Sequence, residues 1–194
     1  MARHAFTVKR IAELGVEIIE AESGRTFSKH LHEQYGIGLV VWGAQRSASG
    51  RGQVEATAGD VISVNPAEVH DGIPINDIRR WHMLFFDPAV MAHQLSDIAL
   101  DTGFVLQEFS YPVLRSSCAA QVFSQVYGSL LTAVNADDYV AFEEKLLMLL
   151  PLLVDRTIPS SLLLGSAAGL AKTMIDDNPL GDISLAALAS ESGL

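Results

Sequence analysis

Cysteine is almost absent from this chain: Cys118 stands alone among 194 residues. A single thiol excludes an internal disulfide framework, and we read Cys118 as a small buried hydrophobe on a helix in a reducing, cytoplasmic setting. Basic residues are also scarce, 13 against 23 acidic ones, for a net charge of -10. Such a balance repels phosphate backbones, so the chain as it stands is not expected to bind nucleic acid. Long hydrophobic runs are missing too. The longest, Leu146 to Val154, contains Pro151 and falls far short of the roughly 20 residues that span a bilayer. Met1-Ala-Arg-His4 leads into mixed polar sequence, so neither a signal peptide nor a membrane partner is expected.

Apolar residues are plentiful. They make up 49 % of the chain, charged ones make up 19 %, and the mean hydropathy is +0.26. That is apolar enough to imply that part of the surface is covered by a partner, most simply a second copy in a homodimer.

The first half is punctuated by glycine, proline, asparagine and aspartate. Val16–Ala21, Thr26–Leu31, Ile37–Gln45, Gln53–Thr57, Val61–Val64 and Arg80–Phe86 read as short strands, a spacing that suggests a sandwich or barrel. Ser47 to Gly52 reads as a hairpin loop, and Gly59 as a turn residue with positive φ. After Asp87-Pro88 the pattern becomes helical, beginning with a short helix from Ala89 to about Leu100 and an extended bridge from Phe104 to Leu114. Ser116 or Ser117 caps a helix carrying Phe123, Tyr127, Leu130, Leu131 and Val134. Asp137 or Asp138 caps another carrying Phe142, Leu146, Leu149, Leu150 and Leu153, which Pro151 divides. We expect the latter five residues to form a dimerisation face. A further helix bears Leu163, Ala167, Leu170 and Met174, and a last one opens at Ser184.

Histidine placement is the strongest functional signal. His30 and His32 alternate on a strand and so share a face, and His70 ends Asn65-Pro66-Ala67-Glu68-Val69-His70. If the strands close into a barrel, three imidazoles meet inside it. With Gly38, Gly43, Gly59-Asp60, Gly72 and the aromatic strand Trp81 to Phe86 ending in Asp87-Pro88, the whole order resembles the AraC-type transcriptional regulators. The resemblance implies an α+β fold in which a small cupin-type, jelly-roll-like β-barrel is followed by a helical dimerisation region. It implies a barrel over residues 1–88, helices over 89–158, a linker and helix over 159–182, and the start of a helix-turn-helix over 183–194. On that reading Leu185-x-x-Leu188-Ala189 and Gly193 begin a motif whose recognition helix lies beyond this chain, and DNA is met only through that missing part.

Two functions compete for the barrel interior. A metal-dependent cupin enzyme, such as a dioxygenase or isomerase, would add to the histidines a carboxylate a few residues after His32, where this chain has Gly36-Ile37. The favoured reading is therefore a non-enzymatic sensor with no catalytic residue, metal or cofactor. It binds a small-molecule effector through His30, His32, Trp42, His70, Trp81 and Met83, the strand placing Trp81, Met83 and Phe85 on one face and His82, Leu84 and Phe86 on the other. His4, His82 and His93 are read as surface or structural residues.

Overall fold

The computed structural model describes residues 4–102, 108–154, 174 and 184–191. Among the described residues ten strands form two sheets: β1 Ala5–Ile11, β2 Val16–Ser23, β3 Phe27–His30, β4 Tyr35–Trp42, β5 Ala44–Ser49, β6 Gly52–Thr57, β7 Val61–Val64, β8 His70–Pro74, β9 Arg79–Phe86 and β10 Val113–Leu114. The larger sheet runs in the order β1-β2-β9-β4-β7-β10 and the smaller in the order β3-β8-β5-β6. This is a cupin-type sandwich of antiparallel sheets, followed by helices α1 Pro88–Thr102, α2 Ser117–Thr132, α3 Ala136–Leu149 and α4 Leu185–Glu191.

Strand alternation decides what each face of the large sheet does. Val16 and Ile18 on β2, Ile37 on β4 and Leu84 and Phe86 on β9 are all buried in one cluster with Phe123, Val126 and Leu130 of α2 and Phe142, Leu146 and Leu149 of α3. The helices thus cover the outer face. The opposite face looks toward the small sheet and bears Val40, Ile62, Met83 and Phe85, a second and smaller cluster.

Several boundaries differ from the sequence reading. The apolar run Ile37–Gln45 is two strands, because Gly43 adopts φ 78° and turns the chain between β4 and β5; a Cβ there would lie 2.6 Å from the Ile78 carbonyl oxygen. Ser47 to Ser49 continue β5, leaving only Gly50-Arg51 as the turn into β6. Gly59 does take a positive φ of 95°. Ser116 caps α2 by accepting from the Ala119 N–H. For α3 the cap is Asn135, whose side chain accepts from the Asp138 N–H while Asp138 accepts from the Asn135 N–H. A side-chain amide competes here as well as a carboxylate does. Pro151 sits inside a 3-10 turn, Leu150–Leu152, that ends α3. The helix expected around Leu163 to Met174 lies, Met174 apart, outside the described residues.

Two further expectations are corrected. Cys118 is exposed, because it takes the outer side of the first turn of α2 while its neighbour Ala119 takes the buried side. Phe142, Leu146, Leu149, Leu150 and Leu153 are each at most 2 % exposed within a single chain, packed against α2 and the large sheet. They belong to the internal core and have no surface left to offer a second subunit. The apolar side chains that α2 and α3 expose are Leu131, Val140 and Met148.

Leu146→Ala is therefore expected to lower unfolding free energy by about 2–5 kcal/mol through cavity formation, and Met148→Ala to change it by less than about 0.5 kcal/mol. Denaturant titration of both variants checks this. Similar losses at the two positions would contradict the assignment of the two faces.

Candidate functional site

The interior between the sheets holds a cavity of about 330 Å³. Its large-sheet wall is built by β9, whose alternation points Trp81, Met83 and Phe85 inward while His82, Leu84 and Phe86 face the helices. Space for those three large side chains comes from the neighbouring strand. Gly36 and Gly38 on β4 pair with Phe85 and Met83. A Cβ on Gly38 would stand 2.0 Å from the Met83 sulfur, and one on Gly36 would stand 2.8 Å from the Phe85 ring. The position where a carboxylate ligand would follow His32 is thus filled by an aromatic ring, and Ile37 points into the helical core.

At one end of the cavity the three histidines meet. His30 of β3 and His70 of β8 are direct cross-strand partners, which brings their ring centroids to 4.4 Å; His32 lies 5.1 Å from His30 and 5.4 Å from His70. His32 also packs 4.6 Å from the Phe85 ring. Backbone carbonyls fix the tautomers of two rings. His30 Nδ1 donates to the Ser28 oxygen at 2.7 Å, and His70 Nδ1 donates to the Glu68 oxygen at 2.9 Å. A carbonyl can only accept, so the neutral rings keep Nε2 as a free lone pair. One nitrogen from each ring lies within 4.8 Å of the others. Burial, followed by the repulsion of His70 and His30, pushes the His32 pKa down to about 4. Burial also lowers His70, despite opposing help from the Glu68 carbonyl. A cluster of three imidazoles suits a borderline divalent metal such as zinc, with carbonyl acceptors already orienting the rings of His30 and His70. The imidazoles fit equally well as hydrogen-bond acceptors for an organic molecule.

The Asn65-Pro66-Ala67-Glu68 turn holds this end in place. Ala67 adopts φ 58°, and its N–H donates to the His32 carbonyl at 2.7 Å. Burial opposes ionisation of Glu68, but Arg51 and the Asn65 N–H outweigh it and hold the carboxyl below its ordinary range. Arg51 reaches in from the β5–β6 turn and grips Glu68 with two bonds of 2.8 and 2.7 Å. Asn65 in turn exchanges two hydrogen bonds with the backbone of Phe109. Glu68 is thereby a clamp on the turn that carries His70.

The other end is aromatic and cationic. Phe6, Phe27 and Trp81 form a mutual edge-to-face cluster with centroids about 6 Å apart. Arg79 lies with its guanidinium carbon 5.3 Å from the centre of the Phe27 ring and 4.6 Å from that of Trp81.

Of the six effector-site residues read from sequence, His30, His32, His70, Trp81 and Met83 line this one cavity. Trp42 does not. It is 61 % exposed and borders a separate shallow surface hollow with Glu22 and Arg80. A register shift between Val40 and Trp42 at the end of β4 turns it away from the interior. Sequence reasoning missed Arg79, Phe27, Gln45 and Arg51 as lining residues. The two-residue period running back from Trp81 would have found Arg79; nothing local marks Arg51. His82 is structural, as read. It stacks on Tyr127 of α2 with centroids 4.3 Å apart and planes 4° apart.

A two-sheet cupin sandwich with a mixed aromatic and polar cavity between the sheets is a small-molecule-binding architecture. The family model of the AraC-like ligand binding domain matches residues 13–151, more than half of the sequence, and the chain belongs to that family. No curated protein matches it. Solved structures similar to it include a cupin superfamily protein from Desulfitobacterium hafniense, 11 % identical over 44 % of this chain and 78 % of that one, with a TM-score of 0.40. Others are oxalate decarboxylase from Bacillus subtilis, at 14 % identity over 53 % and 33 % with a TM-score of 0.40, and a transcriptional regulator of the HTH_3 family from Vibrio cholerae, at 16 % over 44 % and 50 % with a TM-score of 0.38. None of the three bears on activity. Among the described residues no helix is long and apolar enough to cross a membrane.

The depressed imidazoles set a pH dependence. As pH falls through 6.5 the unfolded chain takes up protons on His32 and His70, whereas the folded chain resists, in the case of His32 down to about 4. Stability is thus complete above the unfolded value and is lost on acidification. Melting temperature should decline between about pH 6.5 and pH 5, before most carboxylates titrate, and decline less steeply in His32→Asn. A pH-independent melting point in the wild type would contradict the depression of His32 and His70.

Proposed function

We propose that this chain is the effector-sensing part of an AraC-type transcriptional regulator, which binds a small molecule in the cavity and controls a DNA-binding unit outside the described residues. The observation that carries the reading is the cavity itself, bounded by Trp81, Met83 and the three histidines, in a domain of the AraC-like ligand-binding family. A sensor must hold its ligand differently in two states, since an effector shifts an equilibrium only by binding one state better. Strand β9 supplies a physical connection: ligand contact at Trp81 and Met83 bears on the strand whose His82, between them, stacks on Tyr127 of α2. A change in ring position at the cavity wall is passed through one strand to the helical layer. Homodimerisation, cytoplasmic location and action on DNA belong to the same proposal.

The metal-dependent cupin enzyme is the competing reading, favoured by the fixed tautomers of the histidine cluster. His30, His32 and His70 would hold the ion, which would supply a Lewis acid facing the cavity. Elemental analysis of the purified protein separates the two readings. Near-stoichiometric iron or manganese, lost together in His30→Ala and His70→Ala, would overturn the sensor assignment.

A thermal-shift screen of neutral sugars, neutral aromatics and aromatic acids tests the sensor reading directly. Any compound that binds should stabilise the wild type by about 2.7 kcal/mol at one hundred times its dissociation constant, and stabilise Trp81→Ala markedly less. Equal stabilisation of the wild type, Trp81→Ala and His70→Ala would place binding outside the cavity.

A further inference from the structure

We propose that the effector is an anion, an aromatic carboxylic acid whose carboxylate pairs with Arg79; this rests on the sensor reading above and adds to it the chemical class of the ligand. Arg79 is 1 % exposed, yet every partner it has among the described residues is neutral. Nε donates to Gln45 Oε1 at 2.8 Å, Nη1 donates to the Ser23 and Arg25 carbonyls at 3.1 Å each, and Nη2 reaches the Gly72 carbonyl at a long 3.4 Å. The other guanidiniums that make side-chain contacts differ. Arg10 pairs with Asp87, Arg51 with Glu68 and Arg80 with Glu22, and Arg115 lies 3.8 Å from Asp60. Burial alone lowers the Arg79 pKa, with no carboxylate acting on it among the described residues.

A buried charge without a counter-charge is costly, and its natural complement is a charge of opposite sign arriving with the ligand. The donor geometry allows this. A guanidinium has five N–H groups; four are assigned above, one of them weakly, so Nη2 retains an unspent donor and a long bond that a carboxylate oxygen can replace. Arg79 and Gly72 both border the cavity. The remaining acidic groups there do not compete. Glu68 is already neutralised by Arg51, and Asp71 spends one oxygen on the Ala48 N–H and acts on His70 at the opposite end.

The walls supply the rest of the description. Phe6, Phe27 and Trp81 surround the Arg79 end with aromatic surface suited to a flat ring. From Trp81 to Phe85 the strand advances four residues, about 13 Å at roughly 3.3 Å each. At the far end the Nε2 atoms of His30 and His70, whose Nδ1 atoms bond backbone carbonyls, can accept hydrogen bonds from a ligand. A ligand reaching both ends therefore carries its carboxylate at Arg79, its ring in the middle and a donor such as a hydroxyl toward the histidines.

Calorimetry on the wild-type chain with matched pairs decides the matter: 4-hydroxycinnamate against 4-hydroxycinnamamide and benzoate against benzamide, with neutral sugars alongside. Loss of a charged hydrogen bond amounts to at least about a tenfold change in affinity, so at least one acid should bind about tenfold or more tighter than its amide. Amides that bind as well as their acids, or sugars that bind where no acid does, would overturn the proposal while leaving the sensor reading intact. Silence from acids and neutral compounds alike would remove both. Arg79→Gln, checked for folding by circular dichroism, should weaken the acid and spare the amide; equal weakening of the two would show Arg79 to be a structural lock. If that variant does not fold, the wild-type comparison stands alone as the deciding result.

Discussion

The alternation of strand β9 is the constraint on which the rest of the structure depends. Successive side chains of an extended strand must point to opposite faces, and β9 lies between β2 and β4 near the centre of the large sheet. Leu84 and Phe86 are therefore committed to the helical core, and Trp81, Met83 and Phe85 to the cavity. A slip of one residue would exchange the two sets. Pairing of all of β9 with β2 and of Arg80 to Phe86 with β4 fixes the register, and Gly36 and Gly38 on β4 accept the bulk of Phe85 and Met83. With side chains at those two positions, β4 would intrude where the cavity wall now stands.

Polar groups are distributed around that wall with a consistent logic. Each deeply placed charged group is held by polar partners close by, and the type of partner differs from end to end. Glu68 and Arg51 neutralise each other and tie the β5–β6 turn to the loop before His70. Two of the histidines resist charge: burial and the neighbouring imidazoles disfavour a proton on His32, and burial disfavours one on His70. Arg79 relies on carbonyl oxygens, the Gln45 side chain and two aromatic faces. The cavity is thus cationic at one end and rich in uncharged acceptors at the other, a polarity that orients whatever enters.

The helices convert this barrel into a larger unit. Phe123 and Leu130 from α2, with Phe142, Leu146 and Leu149 from α3, share one cluster with the outer face of the sheet, so the hairpin of helices and the back of the cavity wall are a single packed body. Close-packed interiors transmit displacement because they have little free space in which to absorb it. His82 stacked on Tyr127 adds a polar pair at that junction. The apolar stripe that reads in sequence as a surface for a second subunit is the inner layer of this body.

Much of the fold was legible in the sequence, for reasons tied to particular residues. Gly59 marked a turn and Asp87-Pro88 a strand end, period two assigned both faces of Trp81 to Phe86, and spacing brought His30 and His32 to one side. These are local properties, set by backbone geometry and near neighbours, and they held. Tertiary structure alone decided the remainder. Whether Leu146 faces a partner or its own chain depends on what packs across from it, and periodicity describes only the helix. Trp42 reads as a cavity wall until a register shift at the end of β4 turns it outward. Nothing local marks Arg51 until strands distant in sequence close around it. Periodicity records which side of an element a residue takes; only the folded chain determines what that side meets.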